Sequence, residues 1–131
     1  MLDVRPSPIA GTWYEGNKET LARVVDNFLN NAQLPVLNGE VVAVIAPHAG
    51  HRYSGAVAGY AFAVVKELKP DLVAVISPFH NYSNYPLLTT AHDAYGTPLG
   101  RIEVDKSALA ELSSHLDIPI TPIFADKEHS L

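Results

Sequence analysis

Histidine is the residue type in this chain best suited to chemistry, and its six copies stand at 48, 51, 80, 92, 115 and 129. Imidazole binds transition metals and exchanges protons near neutral pH. His48 lies in Pro47-His48-Ala49-Gly50-His51-Arg52-Tyr53-Ser54-Gly55, just past an apolar run, and His80 lies in an aromatic, polar stretch just past a second run. Neighbouring parallel strands are roughly 5 Å apart and imidazole-to-metal bonds are about 2 Å long. Two rings leaving adjacent strand ends can therefore meet on one ion. The chain has no cysteine, so any metal must be held by imidazole, carboxylate or water. A lone histidine in such a loop more often only hydrogen-bonds the backbone. The paired placement of His48 and His80, flanked by glycine and proline, favours metal or catalytic use. His51 reads equally as a proton carrier or as a half-exposed loop residue. His115 falls at a predicted helix end, where a positive charge suits the dipole. His92, beside Asp93, reads as a paired surface histidine without a role. Glu128 and His129 set a carboxylate beside an imidazole, but two adjacent residues prove little by spacing alone.

The elements that must position these rings follow from periodicity. Asn17 is placed to cap a helix whose apolar face carries Leu21, Val24, Val25, Phe28, Leu29 and Ala32. The continuous apolar runs Val41 to Ala46 and Leu72 to Ile76 predict two strands of a parallel sheet buried on both faces. Between them Ser54 is placed to cap a helix from about Gly55 to Leu68, whose small residues Gly55, Ala56, Ala58, Gly59 and Ala61 suit close packing against a sheet. A strand-helix-strand unit of this kind is parallel and right-handed. In open α/β sheets, ligands gather beyond the carboxyl ends of the strands, where His48 and His80 would lie. Further strands are expected over Leu87 to Ala91, Arg101 to Val104 and Pro119 to Phe124. Thr97-Pro98-Leu99-Gly100 is a turn, and Asp105 caps a helix through about Leu116. The proline- and glycine-rich stretch from Arg5 to Gly16, with Trp13 and Tyr14, reads as an irregular arm packed on the domain.

Composition narrows the function. A chain of 131 residues is one domain at most and long enough to bury a core. It carries 14 acidic and nine basic residues, a formal charge of −5, and no basic stripe. Nucleic acid and anionic membranes are poor partners for it. The start of the chain has no apolar signal core and no run reaches membrane-spanning length, so a cytoplasmic protein is expected.

Taken together, Ala10-Gly11-Thr12-Trp13-Tyr14, Pro47-His48-Ala49-Gly50, Tyr53-Ser54-Gly55, His80, Thr97-Pro98-Leu99-Gly100 and Glu128-His129-Ser130 resemble, in this order, the Memo-like family. That family is similar in fold to the class III extradiol dioxygenases of the LigB type. The resemblance covers about Arg5 to Leu131 and implies an α/β fold, a mostly parallel or mixed sheet flanked by helices, with a mononuclear metal pocket at strand ends. It implies that His48 and His80 are metal ligands, that His129 assists substrate chemistry with His51 as a second proton carrier, and that Trp13, Tyr14 and Glu128 line the substrate side. Fe(II) is the metal it implies, with Zn or Cu as alternatives, and an oxygen-rich small molecule or a peptide is the ligand. A metal-dependent oxidoreductase and a non-enzymatic binding protein are both compatible with it.

Two departures stand out. Members of the family continue well beyond Glu-His-Ser, so the chain resembles the N-terminal half of the family domain, apparently truncated. His51 stands where a tyrosine is usual, and Pro78-Phe79 replace small residues before His80. A half-sheet leaves apolar faces uncovered, so a homo-oligomer, or a missing C-terminal half, is expected to complete the fold.

Overall fold

The side chain of Asn17 accepts a hydrogen bond from the Thr20 amide at 3.0 Å and opens helix α1, Lys18–Asn31, as its position predicts. The computed structural model describes residues 1–130; Leu131, at the end of the stretch resembling the family, lies outside the described residues. Helix α2, His51–Val65, begins earlier than expected, because Gly50 rather than Ser54 is its cap residue. Ser54 sits inside the first turn, and its hydroxyl donates back to the carbonyl of Ala49 at 2.9 Å. The small residues of α2 do permit close packing, but against α1 rather than a sheet. A Cβ at Gly55 would lie 2.4 Å from the Phe28 ring, and one at Gly59 would lie 2.6 Å from the Phe28 carbonyl oxygen.

The remaining elements are β1 (Val4–Pro6), β2 (Leu87–Thr90), β3 (Ala94–Thr97), β4 (Gly100–Glu103), α3 (Lys106–His115) and β5 (Ile120–Ile123). Strands β1, β3 and β4 form a mixed sheet in that order, with β1 parallel and β4 antiparallel to β3. Strands β2 and β5 pair in parallel. Asp105 caps α3 by accepting from the Ala108 amide at 2.9 Å. This is the expected α/β class, with helices and parallel or mixed pairing. Strands β1 and β3 have no signal in the sequence: one sits in the arm expected to be irregular, the other in a loop with no alternating pattern.

The two apolar runs expected as central strands, Val41 to Ala46 and Leu72 to Ile76, form no strand. Val42, Ile45 and Ile76 are 92%, 98% and 95% exposed. A strand buried on both faces needs ladder partners and two covering layers, and no described residue pairs with either run. The buried apolar side chains among the described residues are Leu21 and Ala94. The chain divides into two compact units: Ile9–Ile76, which holds α1 and α2, and Met1–Pro8 with the stretch from Ser77 onward, which holds the five strands and α3. No helix among the described residues is long and apolar enough to cross a membrane.

Candidate metal centre

Strand β5 ends at Ile123, and the chain then makes a tight turn from Ala125 to Glu128, closed by the Glu128 amide donating to the Ala125 carbonyl at 3.0 Å. The turn delivers Glu128, only 6% exposed, against the segment that carries His80. The Glu128 carboxylate accepts four hydrogen bonds there. Its Oε2 takes the His80 amide at 2.7 Å. Its Oε1 takes the His80 Nδ1 at 2.8 Å and the amides of His129 and Ser130 at 2.8 and 2.9 Å. Burial alone would raise the carboxyl pKa, but the His80 amide, the His80 ring and the amides of Ser130 and His129 outweigh it. Together they hold the group well below the usual carboxylate range.

That balance fixes the chemistry of His80. An ionised carboxylate only accepts, so His80 Nδ1 must carry the proton, and in the neutral ring Nε2 carries the lone pair. A carboxylate behind an imidazole, orienting the ring and raising its basicity, is the usual support of a metal-binding histidine. The His129 ring stacks on the His80 ring, with centroids 4.2 Å apart and planes 21° from parallel. One ligand atom from each of His80, Glu128 and His129 lies within 4.8 Å of the others. Stacked rings must swing somewhat to converge on one ion, but they start within reach. Ser130 secures the local backbone, with its hydroxyl donating to the Pro78 carbonyl at 2.6 Å and lying 2.9 Å from that of Ser77.

Beside His80 in sequence, Phe79, Tyr82 and Tyr85 line an open cleft of about 320 Å³ together with Leu88 and Ile123. An aromatic-lined cleft suits a flat or partly apolar organic ligand.

The other candidates lie in the helical unit. His48 is an exposed loop residue there, and without the predicted strand it does not sit at a strand end. His51 is the first residue of α2, and its amide donates to the Trp13 carbonyl at 2.9 Å. Its ring lies 5.5 Å from that of Tyr14 and meets Phe28 edge-on at 5.8 Å. Burial pushes its imidazole below the ordinary histidine range, and Nδ1 has no hydrogen-bond partner among the described residues. Trp13 is exposed, in a tight turn that also holds Tyr14. His115 caps the end of α3 as expected, with Nδ1 2.8 Å from the Glu111 carbonyl.

Two residues near the centre have roles that sequence reasoning misses. His92 is buried, not a surface residue: its ring nitrogens face Asp3 at 3.1 Å and Asp126 at 2.8 Å. Arg5 is 3% exposed, stands over the Tyr95 ring at 5.1 Å and donates to the carbonyls of Ala125 and Glu128. Nothing in the spacing around either residue signals these contacts, which join segments about 90 and 120 positions apart.

The family profile described as Memo-like protein matches residues 5–131. The chain belongs to the Memo-like family. This Memo-like chain is 33% identical over 138 residues to a MEMO1 family protein of Pyrobaculum aerophilum, a match covering 99% of this chain and 49% of that protein. It is 30% identical over 133 residues to a MEMO1 family protein of Nitrosopumilus maritimus, covering 98% and 48% of the two chains. With a memo-1 homolog of Caenorhabditis elegans it shares 34% over 116 residues, 87% of this chain and 33% of that one. The Memo-like chain thus spans about half the length, or less, of these relatives.

Proposed function

We propose that this Memo-like chain binds a divalent transition metal through His80 and His129, with Glu128 supporting His80 from behind, and that the site serves oxidoreductase chemistry of the non-haem iron type. The observation that carries the reading is the donor set. Two imidazoles, one of them backed by a buried carboxylate, suit an ion such as Fe(II), Zn(II) or Cu(II) and leave positions open for a ligand. The family resemblance makes Fe(II) the first choice of metal, ahead of Zn or Cu, and when bound it would supply redox and Lewis-acid chemistry. The residues have simpler tasks. Glu128 orients His80 with Nε2 as its ligand atom, His129 offers a second ring, and Phe79, Tyr82 and Tyr85 form a surface for a catecholate-like or other oxygen-rich ligand. For the helical unit, the family resemblance alone assigns a ligand role to His48, a proton-carrying role to His51 and a substrate-side role to Trp13 and Tyr14. Self-association through a second copy of the chain belongs to the same reading, supported by the exposed apolar runs around Ile45 and Ile76.

Anaerobic titration with Fe(II), or with Zn(II) as an air-stable probe, tests the centre. The parent chain should bind one equivalent, and His80→Ala or His129→Ala should weaken binding at least about tenfold, the order expected for losing one ligand or its support. His115→Ala should bind like the parent, since its ring serves the end of α3. Equal losses in all these variants would mean that surface imidazoles do the binding. A parent chain that holds no metal yet binds catechols or peptides would instead identify a non-enzymatic binding protein using the aromatic cleft.

A further inference from the structure

We infer that Arg5 is a positioning residue for the metal centre, setting the turn that presents Glu128 and His129 to His80. The inference rests on the metal reading above for its functional meaning but on separate contacts for its geometry. One guanidinium nitrogen, Nη2, donates to the carbonyls of both Ala125, at 2.8 Å, and Glu128. These are the first and last residues of the turn closed by the Glu128 amide. Arg5 therefore ties both ends of the turn to one rigid planar group. The group itself is held: Arg5 is the middle residue of β1, in register with Tyr95 of β3, and it stands over that ring. The same segment reaches the turn a second way, since Asp3 faces one nitrogen of His92 and the other faces Asp126 inside the turn.

The electrostatics agree with this role. A buried guanidinium needs compensation, and here it meets neutral carbonyl oxygens and an aromatic face rather than a carboxylate. Its Nε has no hydrogen-bond partner among the described residues. So costly a placement is ill suited to packing alone and well suited to holding a backbone at fixed geometry. Lysine is a poor replacement, because its flexible stem lacks the planar group that stacks on the Tyr95 ring and so fixes the donating nitrogen.

The test needs a readout that general destabilisation does not move. The amides of His80, His129 and Ser130 all donate to the Glu128 carboxylate, and each should report its placement by proton chemical shift and hydrogen exchange in the metal-free 131-residue chain. Arg5→Lys is expected to move all three amide signals upfield and to speed their exchange at least about tenfold. Leu109→Ala, which trims a half-buried side chain of α3 and leaves β1 and its pairing with β3 untouched, is the control for lost stability and should leave them in place. Unmoved signals in Arg5→Lys, or equal movement in Leu109→Ala, would overturn the inference. If Arg5→Lys does not fold, Asp126→Asn loosens the same turn through His92 and must move the same three signals, or the inference fails. Co(II) titration of the parent and of Arg5→Lys gives an independent readout. About tenfold weaker binding with an altered visible spectrum extends the inference to the metal. A parent that binds no Co(II) removes the metal reading, while the amide signals still decide the role of Arg5.

Discussion

Glu128 is the residue on which the candidate centre depends most. Its carboxylate, itself nearly closed to water although the His80 ring is exposed, satisfies three backbone amides and one ring nitrogen. Glu128→Ala would strand these donors, and hydrogen bonds to a charged acceptor are worth about 1.5–3 kcal/mol each when left unmade in a buried place. Because the donors share one site and relax together, a loss of about 2–3 kcal/mol is expected, measurable as a lower urea midpoint in the metal-free chain. Glu128→Gln keeps an acceptor and should lose less, while still releasing the tautomer of His80. An unchanged midpoint for Glu128→Ala would mean that the cluster does not form in solution. At this scale the sequence is partly legible. His80, Glu128 and His129 are recognisable from their types and motifs, but their assembly is not, because the contact joins positions 48 apart through a turn that no local pattern announces. Arg5 and His92 are illegible for the same reason. A surface arginine and a buried one look alike until the sheet that surrounds them is known.

Helices are the most legible elements. Asn17 and Asp105 cap where their side chains can reach the amides three residues on, and local chemistry of this kind needs no tertiary knowledge. The start of α2 is harder to place because Ser54 is a good capping residue type, yet its hydroxyl here bonds back to Ala49 within the first turn. Strands depend on partners far away, so β1 and β3 leave no local trace and the two most apolar runs mislead. The contact of α1 with α2 gives a sharper prediction. Alanine favours helices over glycine by about 1 kcal/mol, but a Cβ at Gly59 meets the Phe28 carbonyl, which cannot move without the helix. Gly59→Ala should therefore lower the thermal midpoint despite its better propensity. At Gly55 the obstacle is the far end of the Phe28 ring, so Phe28→Leu should relieve Gly55→Ala but not Gly59→Ala in a double-mutant comparison. The same helix pair carries a pH dependence. His51 has a depressed folded-state pKa because burial opposes its charge, so the unfolded chain takes up its proton first. Its contribution is complete above the ordinary histidine value of about 6.5 and is lost as pH falls from there through the lower folded value. His51→Phe keeps a ring against Tyr14 and Phe28, and its thermal midpoint should fall less than the parent's between about pH 7.5 and 5.5. Parallel pH curves for the two proteins would place His51 in water.

The chain spans about half the length of the relatives it matches. The runs around Ile45 and Ile76 combine strong β-propensity, high apolarity and almost complete exposure, and no described residue offers either of them a ladder. Such segments are templates for pairing with another chain. A single long side chain of this type yields about 1.5–3 kcal/mol when fully buried, so covering even a few of Val42, Ile45, Val75 and Ile76 in a symmetric pair can outweigh the freedom lost on association at micromolar concentration. The expected outcome is self-association by sedimentation velocity in that range. Placing charge in both runs, Ile45→Lys with Ile76→Lys, should return the protein to monomer by burying nothing and repelling its copy. The helical unit should survive this change, because neither side chain is part of the contact between α1 and α2 and both face solvent already. A parent chain that sediments as a monomer, unfolds cooperatively and does not respond to the two lysines would refute pairing through these runs. Association that persists unchanged in the double variant would move the interface elsewhere on the molecule.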